Sequence, residues 1–173
     1  MSENTLSVPA RVGVLGGGRM GAGIVHAFLA AGAQVTVVEV NDDAAQAAKE
    51  RVEKAIRGSL DRGAEGTFES WTSRLAVSTD TQAFADADLV VEAVPESLDL
   101  KLQSFAKIAA ANATAPIATN TSSLSVTKLA KTVDNPVIGL HFFNPVPASK
   151  LVEVVIAETT PDSLVEEARG WVE

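Results

Sequence analysis

Val12-Gly13-Val14-Leu15-Gly16-Gly17-Gly18-Arg19-Met20-Gly21-Ala22-Gly23-Ile24 is the stretch whose reading decides the fold. The apolar run from Val12 to Leu15 reads as a buried strand. It meets Gly16, Gly18 and Gly21 at G-x-G-x-x-G spacing, and a helical pattern starts at once. Gly16 permits a sharp turn, Gly18 lets a pyrophosphate approach the backbone, and Gly21 lets the helix pack closely. Amides freed at the helix start, with the positive end of its dipole, suit phosphates. Such a turn is weak evidence alone, so its context matters. Met20, Ile24, Ala27, Phe28 and Ala31 form an apolar helix face that stops at Gly32.

A second strand, Val35 to Val38, ends in Glu39, eighteen residues after Gly21. That is where the ribose-binding carboxylate of a dinucleotide fold belongs. A carboxylate bonds the two ribose hydroxyls but repels a 2′-phosphate. Val40, Asn41, Asp42 and Asp43 follow with no arginine to offset it, so NAD is expected over NADP.

The 173 residues suit one domain with a real core, and 46% hydrophobic with 21% charged residues is ordinary globular composition. A net charge of −8 argues against a nucleic-acid partner. The absence of cysteine excludes disulfides, thiol catalysis and cysteine-bound metals. Residues 1–10 read as a loose polar tail rather than a signal, with residues 11–173 as the folded domain. No apolar run approaches membrane-spanning length, so a soluble, cytoplasmic protein is expected.

Further on, helix and strand patterns alternate, predicting a doubly wound, mostly parallel α/β sheet of Rossmann type. A helix over Asp42 to Leu60 carries Lys49, Arg51, Lys54 and Arg57 outwards, with Arg62 beyond: either a solvated face or a surface for an anionic substrate tail. Leu75 to Ser78 and Leu89 to Val91 read as strands, and Pro95 opens a loop at the carboxyl edge that brings Glu96 towards a cofactor. A helix over Leu98 to Ala111 is expected to face Leu98, Leu102, Phe105 and Ala109 inwards and Lys101 outwards. A first-turn lysine opposes the dipole, which suggests another role. Asn120-Thr121-Ser122-Ser123, after a fifth strand, suits either ligand bonding or capping of the helix over Val126 to Ala130, with Ser123 or Ser125 as caps.

A sixth strand, Val137 to Leu140, delivers His141 to the same edge, followed by a stiff aromatic and proline loop. Histidine exchanges protons near neutral pH, which suits the base of a dehydrogenase. Glu153, on a seventh strand, is placed to orient it. His26, in the first helix, is read as structural or surface. Without tyrosine a tyrosine-lysine dehydrogenase is excluded, and neither a P-loop, a G-x-S-x-G elbow nor a histidine cluster for a metal occurs. Pro161 to Glu173 forms an amphipathic helix whose Trp171 sits near the terminus, from which a longer natural polypeptide is expected.

Gly16 to Ile24, Val90-Val91-Glu92-Ala93-Val94-Pro95-Glu96, Asn120 to Leu124, Gly139-Leu140-His141-Phe142-Phe143-Asn144-Pro145-Val146-Pro147 and Lys150 to Val155 together resemble the NAD domain of L-3-hydroxyacyl-CoA dehydrogenases. The resemblance covers nearly the whole chain. It implies reversible oxidation of a 3-hydroxyacyl-CoA with His141 as base and Glu153 as its partner. Ser122 and Asn144 would bond the substrate oxygen and position substrate with nicotinamide. Gly16, Gly18, Arg19, Met20, Gly21, Glu39, Glu96 and Lys101 would line the cofactor site, with no metal. Lys54 or Arg62 would meet the CoA phosphates. Family members carry a helical C-terminal domain that closes the substrate pocket and usually forms the dimer; it is absent from this chain. Two other readings stand beside this one, a dehydrogenase of a free hydroxy acid and a non-catalytic dinucleotide-binding module.

Overall fold

A computed structural model describes residues 8–143, 146 and 151–172. Strand β1 (Arg11–Leu15) leads through the glycine turn into α1 (Arg19–Ala30), and β2 (Gln34–Val38) follows. The bond from Gln34 N–H to Ala10 O already ties the residue before β1 into the sheet. Gly32, at φ +97°, ends α1 as its glycine foretold. Next come α2 (Asp42–Asp61), capped by the Asn41 side chain on Ala44 N, and the short α3 (Phe68–Thr72). Then follow β3 (Leu75–Ser78), a 3₁₀ turn (Thr81–Phe84), β4 (Leu89–Glu92) and α4 (Leu98–Ala111). The chain continues through β5 (Ile117–Thr119), α5 (Val126–Ala130), β6 (Val137–Phe142), β7 (Val152–Val155) and α6 (Asp162–Val172).

The sheet order is β3-β2-β1-β4-β5-β6-β7. Every pairing is parallel except β6 with β7. Only nine residues separate those two strands, too few for a parallel crossover, so the chain returns antiparallel.

Alternating side chains of the strands feed two cores, one on each face. Val12, Val14, Val35, Val37 and Val91 pack under α1, α2 and α6, where Ile24, Val52 and Leu164 complete the layer. On the other face Val90, Ile117 and Val137 pack against Phe84, Phe105, Ile108 and Leu129. The chain goes to opposite faces after β1 and after β4, which are neighbours. Their carboxyl ends therefore open a crevice, the switch point where ligands of such sheets bind.

Two expectations for α4 fail. Leu98 is 46% exposed, whereas Lys101, expected outside, is only 1% exposed. Buried Lys101, Ser104, Phe105 and Ile108 mark a face rotated from the one that apolar spacing suggested. A lysine occupies it because Glu92, at the end of β4, supplies an opposite charge there. In α6, Trp171 and Val172 are partly buried against the first core.

Candidate active site

Everything at the crevice descends from how each strand ends. Gly16 leaves β1 at φ +98°, in the left-handed region that glycine tolerates. A side chain at Gly21 would put its first carbon 1.8 Å from the Gly16 carbonyl oxygen, so α1 sits directly on the turn. Gly18 differs: nothing lies within 4 Å of where its side chain would start. That open backbone caps α1, with no side-chain bond at the cap and no acid in the first turn. A cleft of about 910 Å³ lies along it, and Gly16, Gly18, Arg19, Met20 and Gly21 form one wall.

Glu39 stands at the same cleft one residue beyond β2, its amide continuing the ladder onto Ser78 O at 3.0 Å. Val40, 84% exposed, forms the lip beside it. The opposite side comes from the loops after β4 and β5. Glu96 Oε1 accepts from Thr121 Oγ at 2.5 Å, while its Oε2 accepts from Ser122 N at 2.8 Å and Ser122 Oγ at 2.9 Å. Burial raises the Glu96 pKa, but the bonds from Thr121 and Ser122 and the charge of Lys101 outweigh it and carry the carboxyl below its ordinary value. The hydroxyl proton of Ser122 is thus engaged by a carboxylate.

β6 extends further than expected, to Phe142, so His141 projects from a strand rather than a loop. Phe142 N–H donates to Asn120 Oδ1 at 2.9 Å, which anchors the strand end against the loop after β5. His141 lies opposite Glu153 in the antiparallel ladder, and their Nδ1 and Oε2 atoms are 3.3 Å apart. The Phe143 ring lies 4.5 Å from the imidazole. His141, Glu96, Ser122 and the glycine turn all line one cleft.

Other expected residues lie elsewhere. Lys54 is exposed on α2 and Arg62 at its C-terminal cap, and neither lines the cleft. A helix of this length runs about 30 Å, which carries Arg62 far from the carboxyl edge where α2 starts. Asn144 and Lys150 lie outside the described residues. His26 is buried between helices, bonded through Nε2 to Ser59 Oγ at 2.8 Å and stacked on Trp71. Of the two capping candidates, Ser125 caps α5 by accepting from Lys128 N. The sequence motifs assign no role to Glu92 or Thr119, yet Glu92 pairs with Lys101 at the cleft wall and accepts from Thr119 Oγ. A glutamate inside an apolar strand run was the available signal, because burial demands a partner for its charge.

Among the described residues, no cluster able to hold a metal ion occurs, and no helix is long and apolar enough to cross a membrane. The cleft does fit a dinucleotide. It has the volume, the open glycine backbone at a helix start, and a carboxylate one strand away.

The family described as "3-hydroxyacyl-CoA dehydrogenase, NAD binding domain" matches residues 11–173. The chain belongs to this family of NAD-binding domains. It is 40% identical over 161 residues to the 3-hydroxyadipyl-CoA dehydrogenase of Escherichia coli K12, covering 90% of this chain and 34% of that protein. Identity to a 3-hydroxybutyryl-CoA dehydrogenase of Mycobacterium tuberculosis is 36% over 159 residues, covering 88% and 56%. The crystal structure of (S)-3-hydroxybutyryl-CoA dehydrogenase from Ralstonia eutropha superposes with a TM-score of 0.86 at 32% identity, over 95% of this chain and 61% of that one. The chain thus spans between a third and about three fifths of these relatives.

Proposed function

We propose that this chain is the cofactor-binding part of an enzyme that reversibly oxidises a 3-hydroxyacyl-CoA to a 3-oxoacyl-CoA. The observation that carries the reading is His141, paired with Glu153, on the wall of a cleft with room for a dinucleotide. NAD, when bound, supplies the acceptor for the hydride that leaves the carbinol carbon. Gly16, Gly18 and Gly21, with the first amides of α1 at Arg19 and Met20, hold the pyrophosphate. Glu39 accepts from the ribose hydroxyls. His141 takes the hydroxyl proton at Nε2, and Glu153 accepts from Nδ1–H, which fixes the tautomer and offsets the charge gained. Ser122, held by Glu96, and Asn144 position the substrate oxygen.

Residues 11–173 act as the NAD domain, and a helical domain elsewhere in the whole protein covers the acyl chain. The partial coverage of the relatives supports that division. Lys54 or Arg62 serving the CoA phosphates and a homodimer belong to the same reading and rest on the family resemblance, and a cytoplasmic setting accords with a chain free of cysteine.

The test compares turnover of 3-hydroxybutyryl-CoA and free 3-hydroxybutyrate by the whole protein, with and without His141→Ala. The thioester is expected to be preferred, and the variant to lose about a hundredfold or more in turnover while NADH affinity holds. Equal use of the free acid removes the CoA assignment. Near-normal turnover by the variant removes His141 as the base.

A further inference from the structure

Glu92 and Lys101 are 0% and 1% exposed, yet both carry charge-bearing side chains. Their Oε2 and Nζ atoms are 2.7 Å apart. A buried ion pair is no bargain in stability, since apolar residues of similar volume usually do as well or better. Its bonding suggests a more specific use. Glu92 Oε2 also accepts from Val94 N at 2.9 Å, and Lys101 Nζ donates to Val94 O at 3.2 Å. Both polar atoms of Val94 are therefore gripped by the two members of one pair. Glu92 Oε1 accepts from Thr119 Oγ at 2.7 Å, and Thr119 Oγ in turn accepts from Thr121 N at 3.3 Å. One side of this network holds the loop after β4, which carries Glu96. The other holds the loop after β5, which carries Ser122. The two loops then meet through the Glu96–Ser122 bonds.

We propose that Glu92 and Lys101 are positioning residues: their buried pair sets the spacing of the two loops that present Glu96 and Ser122 to the cofactor cleft. Lys101 acts through this grip. Its ammonium is spent on Glu92 and Val94 O, with Glu96 Oε1 at 3.9 Å. The role rests on the cofactor reading above only for its binding readout; the loop geometry is read separately.

The experiment uses the whole protein and two variants. Glu92→Leu with Lys101→Met removes both charges together, and Thr119→Val cuts the link to β5 while keeping the side chain's shape. Three quantities are measured: thermal midpoint, NADH dissociation constant by fluorescence, and amide exchange at Val94 and Ser122. The double variant is expected to melt within a few degrees of the original, to bind NADH about tenfold more weakly, and to exchange faster at Val94 and Ser122 but not within β1. Thr119→Val should shift affinity and Ser122 exchange the same way, by about threefold. Stable variants with unchanged affinity and unchanged exchange overturn the proposal, since a merely structural pair moves neither. If the double variant does not fold, Thr119→Val decides by the same criteria. Failure of the unsubstituted whole protein to bind NADH strikes the cofactor reading, and amide exchange still judges the positioning role.

Discussion

Glu39 shows how a single carboxylate can select between two cofactors that differ by one phosphate. Its side chain lines the cleft, and the chain beyond it, through Val40 and Asn41 to Asp42 and Asp43, adds acids rather than arginine. Under the proposed function, two ribose hydroxyls can donate to it, whereas a 2′-phosphate would bring like charge against like. Glu39→Ala removes both effects. NADH should then bind more weakly, by about tenfold for two lost charge-assisted hydrogen bonds partly replaced by water. NADPH should bind no worse or better, so the preference narrows from both sides. Titration of the two cofactors by fluorescence reads this directly. An unaltered preference would place the discrimination elsewhere, with Arg19 and Lys107 among the cleft's other charges to examine.

The turn between β1 and α1 is where element geometry and chemistry coincide. Gly21 lies against the Gly16 carbonyl, so an alanine there meets fixed backbone rather than a flexible side chain. The helix must retreat or the turn must open. Either costs about 1–3 kcal/mol as overpacking, or several degrees in thermal midpoint for a domain of this size. Gly32→Ala is the control, because its site has open space and only the positive φ of +97° to strain. Gly21→Ala should therefore melt lower than Gly32→Ala and lose most NADH affinity, while Gly32→Ala keeps it. Calorimetry with a binding titration separates the two. The turn was legible in the sequence because glycine spacing reports backbone constraints that no other residue satisfies. The face of α4 was not. Apolar periodicity assigns charged residues outward, and it cannot see that Glu92, nine positions earlier and on another element, meets Lys101. The same blindness hid the antiparallel return of β7, although the His141 and Glu153 positions were readable, because the loop between them gives no periodic signal.

At the scale of the whole molecule, the wound sheet and its carboxyl-edge cleft were legible from the alternation of elements, whereas contacts between helices were not. His26 illustrates the difference and makes stability depend on pH. Three helices enclose it: its own α1, α2 through Ser59, with Arg62 capping that helix, and α3 through Trp71. Its Nδ1 has no hydrogen-bond partner among the described residues. Burial, and then the nearby Arg62 charge, hold its pKa below the ordinary value of 6.5. The folded chain therefore keeps His26 neutral where the unfolded chain would already protonate it. Below about pH 6.5 the unfolded state binds more protons, and stability falls as pH falls, by at most about 1.4 kcal/mol per pH unit for one proton. Glu96 acts in the same direction but lower. Its folded pKa is depressed, so its contribution is complete above the ordinary carboxylate range and is lost as pH falls through the folded value. The thermal midpoint should consequently decline in two limbs, one from about pH 6.5 downwards and one in the carboxylate range. His26→Gln should flatten the upper limb and leave the lower one, whereas Glu96→Gln should weaken the lower limb and leave the upper. Midpoints measured by calorimetry across pH 3.5 to 7.5 test the assignment, and an upper limb of unchanged slope in His26→Gln would mean that another group sets it.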